Sequence, residues 1–255
     1  MVARMRATGV LLVLSLALVA GCGRDESACQ APRTPTPLDP VPTGTITGTV
    51  AFAGPPPAMK PVTLSADAQC AAQHQGPVLS DDALVHDGHV ENAFVYVKDG
   101  LGARVFAVPQ APVTIDQVGC LYHPRVAGAQ TCQPIEFVND DPTLHNVHGT
   151  PGRSAPWNFS MALKGSKRTL RIEGPEVMIP VTCDVHPWMR AYVGVVSHPY
   201  FAVTGADGRF ALKGVPAGEY VVASWHERFG AREAHVTLGA GETKDVPLAY
   251  GGGGN

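Results

Sequence analysis

Residues 181–189 read Val181-Thr182-Cys183-Asp184-Val185-His186-Pro187-Trp188-Met189 and carry the densest chemistry in the chain. A thiolate, an imidazole and a thioether follow one another as Cys-x2-His-x2-Met, a spacing at which all three can turn to one side of a short loop. Soft sulfur combined with imidazole is the donor set of electron-transfer copper, in which two His and one Cys form a trigonal plane and a Met sits at a long axial distance. The loop supplies one Cys, one His and the Met, so a second His must come from elsewhere. Residues 141–148, Asp141-Pro142-Thr143-Leu144-His145-Asn146-Val147-His148, offer it just after an expected strand at 135–139. Alternation along an extended segment places His145 and Val147 on one face and His148 on the other. A lone Cys-x2-His also makes half of a zinc site, but zinc has no use for a thioether and needs two further Cys, His or carboxylate ligands.

The pairing of His-Asn-Val-His with Cys-x2-His-Pro-x-Met resembles the cupredoxins, those of amicyanin type foremost and of plastocyanin and pseudoazurin type more loosely. The resemblance implies that His145 and His186 are the imidazole ligands, Cys183 the thiolate and Met189 the axial ligand of one mononuclear type 1 copper. It implies that Asn146 steadies the thiolate region by hydrogen bonding, with Pro187 beside the second histidine, in the way outer groups orient metal ligands. It also implies that His186 lies near the surface amid apolar neighbours, Pro187 and Trp188, where a partner protein can dock briefly. Such a frame changes oxidation state with little rearrangement, which suits single-electron transfer. Multicopper oxidases and copper nitrite reductases add sites built from several histidines, commonly as His-x-His, and this chain has no His-x-His. The expectation is an electron carrier, not an enzyme, that exchanges electrons with a redox partner protein. A copper-delivery lipoprotein and a non-redox β-sandwich binding module with a structural metal are the alternatives.

The elements that must hold these residues are short. Runs of β type at 46–52, 93–98, 113–116, 135–139, 169–172, 177–183, 191–196, 201–204, 209–212, 219–225 and 234–238 are separated by Gly, Pro, Asp and Asn, with no long stretch of helical period. That spacing predicts antiparallel sandwiches or barrels. Two flanking stretches, TITGTVAFAGPPP at 45–57 and FAVTGADGRFALKGVPAGEYVVA at 201–223, resemble the start and end of a carboxypeptidase regulatory-like β-sandwich. Ala206-Asp207-Gly208 and Pro216-Ala217-Gly218 mark its turns. The expected fold is all-β: a cupredoxin-like Greek-key sandwich, residues 106–196, inserted in or packed on a second sandwich of immunoglobulin or transthyretin type built from residues 45–105 and 197–250.

At the N-terminus Arg4 and Arg6 precede an apolar run from Val10 to Ala20, followed by Gly21 and Cys22. The run is short for a membrane span and ends in small residues before a cysteine. It resembles a bacterial lipoprotein signal peptide, residues 1–21. The resemblance implies cleavage before Cys22, acylation of its thiol, and a protein held to a membrane of the cell envelope, the outer one, facing the periplasm. Residues 22–44 are polar and proline-rich, with too little apolar surface to fold, and read as a flexible linker. Net charge is −3 with no basic cluster, so nucleic acid is not an expected partner.

Of six cysteines, Cys22 goes to lipid and Cys183 to metal. Cys29, Cys70, Cys120 and Cys132 can pair in three ways in an oxidising compartment. Cys120 is expected to join Cys70 or Cys132, and Cys29, in the linker, can stand outside the pairing. The stretch Cys120-Leu121-Tyr122-His123-Pro124 repeats the Cys-x2-His-Pro spacing but has Val126 where the first loop has Met189, so it predicts no second blue-copper site. His226 beside Glu227 reads as structural, and His74, His86, His89, His198 and His235 as surface or turn residues.

Overall fold

The computed structural model describes residue 29 and residues 34–37, 41–64 and 66–251. The expected signal peptide and Cys22 lie outside the described residues. Among these, strands dominate and the one helix, Ala68–Ala71, is a single turn.

Four sheets enclose two main cores. In the first, the strand Thr43–Ala53 pairs antiparallel with Arg209–Pro216 and parallel with Leu248–Gly251. Its Thr-Ile-Thr-Gly-Thr-Val sequence alternates as a half-buried strand must, with Ile46 and Val50 inside and Thr45, Thr47 and Thr49 partly exposed. This sheet faces another made of Phe201–Val203, Phe94–Asp99, Gly218–His226 and Gly230–Leu238. Val95, Val97, Tyr220, Val222 and Leu238 meet Ile46, Val50, Phe210 and Leu212 in one buried cluster.

The second core lies between a five-stranded and a four-stranded sheet. The former runs Trp157–Met161, His145–Gly149, Glu176–Thr182, Arg190–Val196, Val126–Gln130. The latter runs Ser166–Leu170, Ile135–Asn139, Val113–Val118, Leu121–His123. Ile115, Phe137, Val147, Ile179, Val181 and Val193 fill the space between them.

A notch without side chains joins the two halves. Val126–Gln130 runs parallel to Arg190–Val196 with Gly128 opposite Gly194. A Cβ on Gly128 would lie 2.5 Å from the Phe201 ring and one on Gly194 2.6 Å from the Phe94 ring, so only glycine lets these rings seat. Beside the notch, Arg125 binds both Asp81 and Glu227, largely out of solvent.

Two segments lie where sequence position alone did not put them. Residues 45–105 read as part of the first sandwich, yet Leu64 and Cys70 are buried in the second core, with Val62 and Val78 against it. Prolines at 55–57 and 61 stop the first strand from continuing, and the Cys70–Cys120 disulfide staples the excursion to the second half. In the stretch read as a flexible linker, Cys29 is disulfide-bonded to Cys132, and the Thr36 N–H donates to the Val105 carbonyl at 2.8 Å. A segment too polar to build its own core is here pinned to another one. Several strands carried no clear sequence signal. His145–Gly149 is short and largely polar, Trp157–Met161 is only five residues long, and the run expected at 169–172 is found at Ser166–Leu170.

Candidate metal centre

The strand His145–Gly149 runs between Trp157–Met161 and Glu176–Thr182, and His148 pairs with Thr182. That register sets the loop beginning at Cys183 beside the start of the strand. His145, Asn146 and Val147 are buried and His148 is partly exposed, in keeping with the expected alternation of His145 and His148. In the loop, Cys183, His186 and Met189 turn inward while Asp184, Val185 and Pro187 stay exposed. The Met189 N–H closes the turn on the His186 carbonyl at 2.9 Å.

The inward side chains converge. His145 Nδ1 lies 2.9 Å from His186 Nδ1, and the Cys183 sulfur lies 3.8 Å from His186 Nδ1. Ligand atoms of His145, Cys183 and His186 all fall within 4.8 Å of one another. Met189 is buried in the same core as Cys183. The Asn146 N–H donates to the Cys183 sulfur at 3.4 Å, and its side-chain carbonyl accepts from the Asp184 N–H.

Carboxylates set the ring tautomers. Asp141 Oδ2 lies 2.8 Å from His145 Nε2, while the two oxygens of Asp141 also accept the Gly119 and Cys120 N–H groups at 2.7 Å each. Asp67 Oδ2 lies 3.1 Å from His186 Nε2. An acceptor-only carboxylate on each Nε2 keeps the neutral ring's proton there, leaving Nδ1 as a lone pair. Two lone pairs then face each other across 2.9 Å beside a sulfur, an arrangement that one shared proton or one cation relieves.

The charges agree with this. Burial alone would raise the Cys183 thiol, but His145 and the Asn146, Val185 and His186 N–H groups bring it below its ordinary value, towards thiolate. Burial disfavours a charged His145 ring, yet Asp141 and Cys183 outweigh it and raise its pKa to about 9. Against its own burial, Asp141 is held below the ordinary carboxylate range by His145 and two backbone N–H groups. The donor set therefore suits a soft or borderline cation, with carboxylate–histidine pairs of the kind that orient metal ligands.

Two expectations need correcting. His186 is not near the surface: it is 3% exposed, with Asp67 across its Nε2 edge and the Cys70 sulfur 3.6 Å away. The cause is the stapled excursion, which folds over the loop, while the Trp188 indole donates to the Cys120 carbonyl at 3.0 Å. His198, read as a surface or turn residue, sits in the bend at 197–199 but not at the surface; it is buried and bonded to the Val97 carbonyl at 2.9 Å. His226 is buried and stacked on Phe229, and His148 binds Asp184 at 2.8 Å. Cys120 pairs with Cys70, Cys132 pairs with Cys29, and among the described residues Cys183 is the free cysteine. Sequence reasoning missed both carboxylates. Asp141 stands four residues before His145 and had a local signal; Asp67 lies 119 residues from His186 and had none.

No protein-family model matches the chain, and no curated protein matches it. Among solved structures, part of it is similar to a copper-containing nitrite reductase from Thermus scotoductus SA-01 at 24% identity and a TM-score of 0.30, covering 37% of this chain and 24% of that one. This chain thus spans about a quarter of that enzyme's length. It is similar to a purple cupredoxin from Nitrosopumilus maritimus at 18% identity and a TM-score of 0.29, covering 32% of this chain and 98% of that one. It is also similar to an oxidised proline-to-alanine variant of amicyanin at 21% identity and a TM-score of 0.31, covering 41% of this chain and 99% of that one.

Proposed function

We propose that the chain holds one mononuclear copper through His145, Cys183, His186 and Met189 and passes single electrons at the cell envelope. One observation carries this reading: the Nδ1 atoms of two buried imidazoles, each with a carboxylate oxygen at its Nε2, lie 2.9 Å apart beside a buried thiol. Bound there, copper supplies reversible one-electron chemistry. The chain's own residues do the rest. Asp141 and Asp67 orient the rings, the Asn146 N–H steadies the sulfur, and burial of the three donor residues excludes water. Burial of the donors and the absence of His-x-His pairs favour a carrier over an enzyme.

Residues 106–196 form the copper-holding part and residues 45–105 with 197–250 its regulatory-like companion, the excursion around Cys70 excepted. With His186 covered, exposed Leu144 and Val185, next in sequence to His145 and His186, are where a redox partner protein approaches. Attachment is through lipid on Cys22.

The test is copper(II) titration with visible spectroscopy. Wild type and His148→Ala are expected to give an intense thiolate charge-transfer band, and His145→Ala and Cys183→Ser to lose it. A colourless wild type that binds zinc one-to-one contradicts the reading.

A further inference from the structure

His186 has donors on both sides of its ring. Its Nδ1 faces His145, and its Nε2 faces Asp67 Oδ2 at 3.1 Å and the Cys70 sulfur at 3.6 Å. Cys70 is bonded to Cys120, and ligand atoms of Cys70, Cys120 and His186 lie within 4.8 Å of one another, all three residues buried. Asp67 uses Oδ1 for the Gln69 and Cys70 N–H groups at 2.7 and 3.1 Å, which leaves Oδ2 for the ring side.

We propose that the Cys70–Cys120 disulfide masks a second metal site, opened by a dithiol and taken by one divalent cation of the zinc class. Its ligands are the Cys70 and Cys120 thiolates, His186 Nε2 and Asp67 Oδ2, a two-sulfur, one-nitrogen, one-oxygen set suited to tetrahedral coordination. The reading of the first site enters only in that the two ions share His186. In the opening step the Cys70–Cys120 bond breaks, the dithiol closes its own disulfide, and its two protons pass to the two thiols. On metal binding those two protons leave to solvent. Where the first ion already holds Nδ1, the remaining ring proton of His186 leaves as well. The sulfurs have to part to hold an ion between them, and the single helical turn Ala68–Ala71 carrying Cys70 is short enough to shift.

The test is anaerobic titration of the full chain with cobalt(II), whose visible bands report thiolate ligation, before and after treatment with a dithiol that is then removed. One equivalent is expected before reduction and two after. The second is expected to persist in the Cys29→Ser/Cys132→Ser variant and to bind at least tenfold more weakly in Cys70→Ser. It is also expected to weaken at least tenfold in Asp67→Asn, which leaves the disulfide intact. Cys183→Ser is expected to remove the first equivalent and keep the second, so failure of the first site and failure of the second are told apart. A single equivalent after reduction, a second that survives Cys70→Ser at full affinity, or loss of the far-ultraviolet dichroism on reduction overturns the proposal.

Discussion

His145 in one half of the molecule and His226 in the other are both buried, and their pKa values move in opposite directions, to about 9 and about 4. His226 is taken out of water among Phe229, Tyr250 and backbone groups, so burial decides and the ring stays neutral. His198 behaves likewise: burial against Phe106 and Tyr200 lowers its pKa to about 4, even though the hydrogen bond to the Val97 carbonyl works the other way. His145 is buried as deeply but is flanked by a carboxylate and a thiol. The contrast teaches that burial by itself makes a histidine inert. A carboxylate and a thiol drawn towards thiolate turn the same burial into a site with a strong appetite for positive charge, whether proton or metal.

The largest expected effect breaks the contrast outright. His145→Ala should lower copper affinity by about a hundredfold or more, since a four-donor site worth about 10–16 kcal/mol loses roughly a quarter of it. His198→Phe should leave affinity unchanged, as isothermal titration can show; a comparable loss in both variants would erase the distinction.

Next comes pH dependence of the metal-free protein, read from urea midpoints. His198 and His226 have folded pKa values of about 4, below the unfolded value, so the unfolded state takes the proton first on acidification. Their contribution is complete above pH ~6.5 and lost as pH falls towards 4, on the order of 3 kcal/mol each. His145, with a folded pKa of about 9, does the reverse: its contribution is complete below pH ~6.5 and lost as pH rises through 9. His198→Phe should shrink only the acid limb, leaving the share of His226, and His145→Gln should shrink only the alkaline one.

Gly194→Val probes the joint between the halves. Its Cβ would press on the Phe94 ring, and overpacking of this kind costs about 1–3 kcal/mol. Chemical denaturation should register that loss while copper affinity holds. A fall in affinity would mean that the second half depends on the first for its site.

A change of similar size is Asp141→Asn, expected to weaken copper binding roughly 10–100-fold and to bring His145 down from about 9 towards its ordinary value, as proton NMR of the metal-free protein would follow. An unmoved His145 would assign its shift to Cys183 alone.

Much of the contrast was legible in the sequence, for physical reasons. The period of three in Cys183, His186 and Met189 puts one face of a short loop inward, and strand alternation separates His145 from His148. Both are local rules, and local rules survive folding. The Thr-Ile-Thr-Gly-Thr-Val strand and its glycine turns were legible for the same reason. What could not be read was non-local. Asp67 reaches His186 only because a proline-broken excursion is stapled across the loop by Cys70–Cys120. His198 lies inside because Phe106 and Tyr200 close over it, and no pattern around residue 198 announces that. Cys29 looked peripheral because polar, proline-rich composition speaks to the missing core of a segment and not to where a disulfide ties it.

The most direct test of the central claim is X-ray absorption at the copper edge of the copper-loaded protein. One sulfur and two imidazole nitrogens at short distance are predicted, unchanged in His148→Ala and without the sulfur in Cys183→Ser. A first coordination sphere of nitrogen and oxygen alone in the wild type would contradict it.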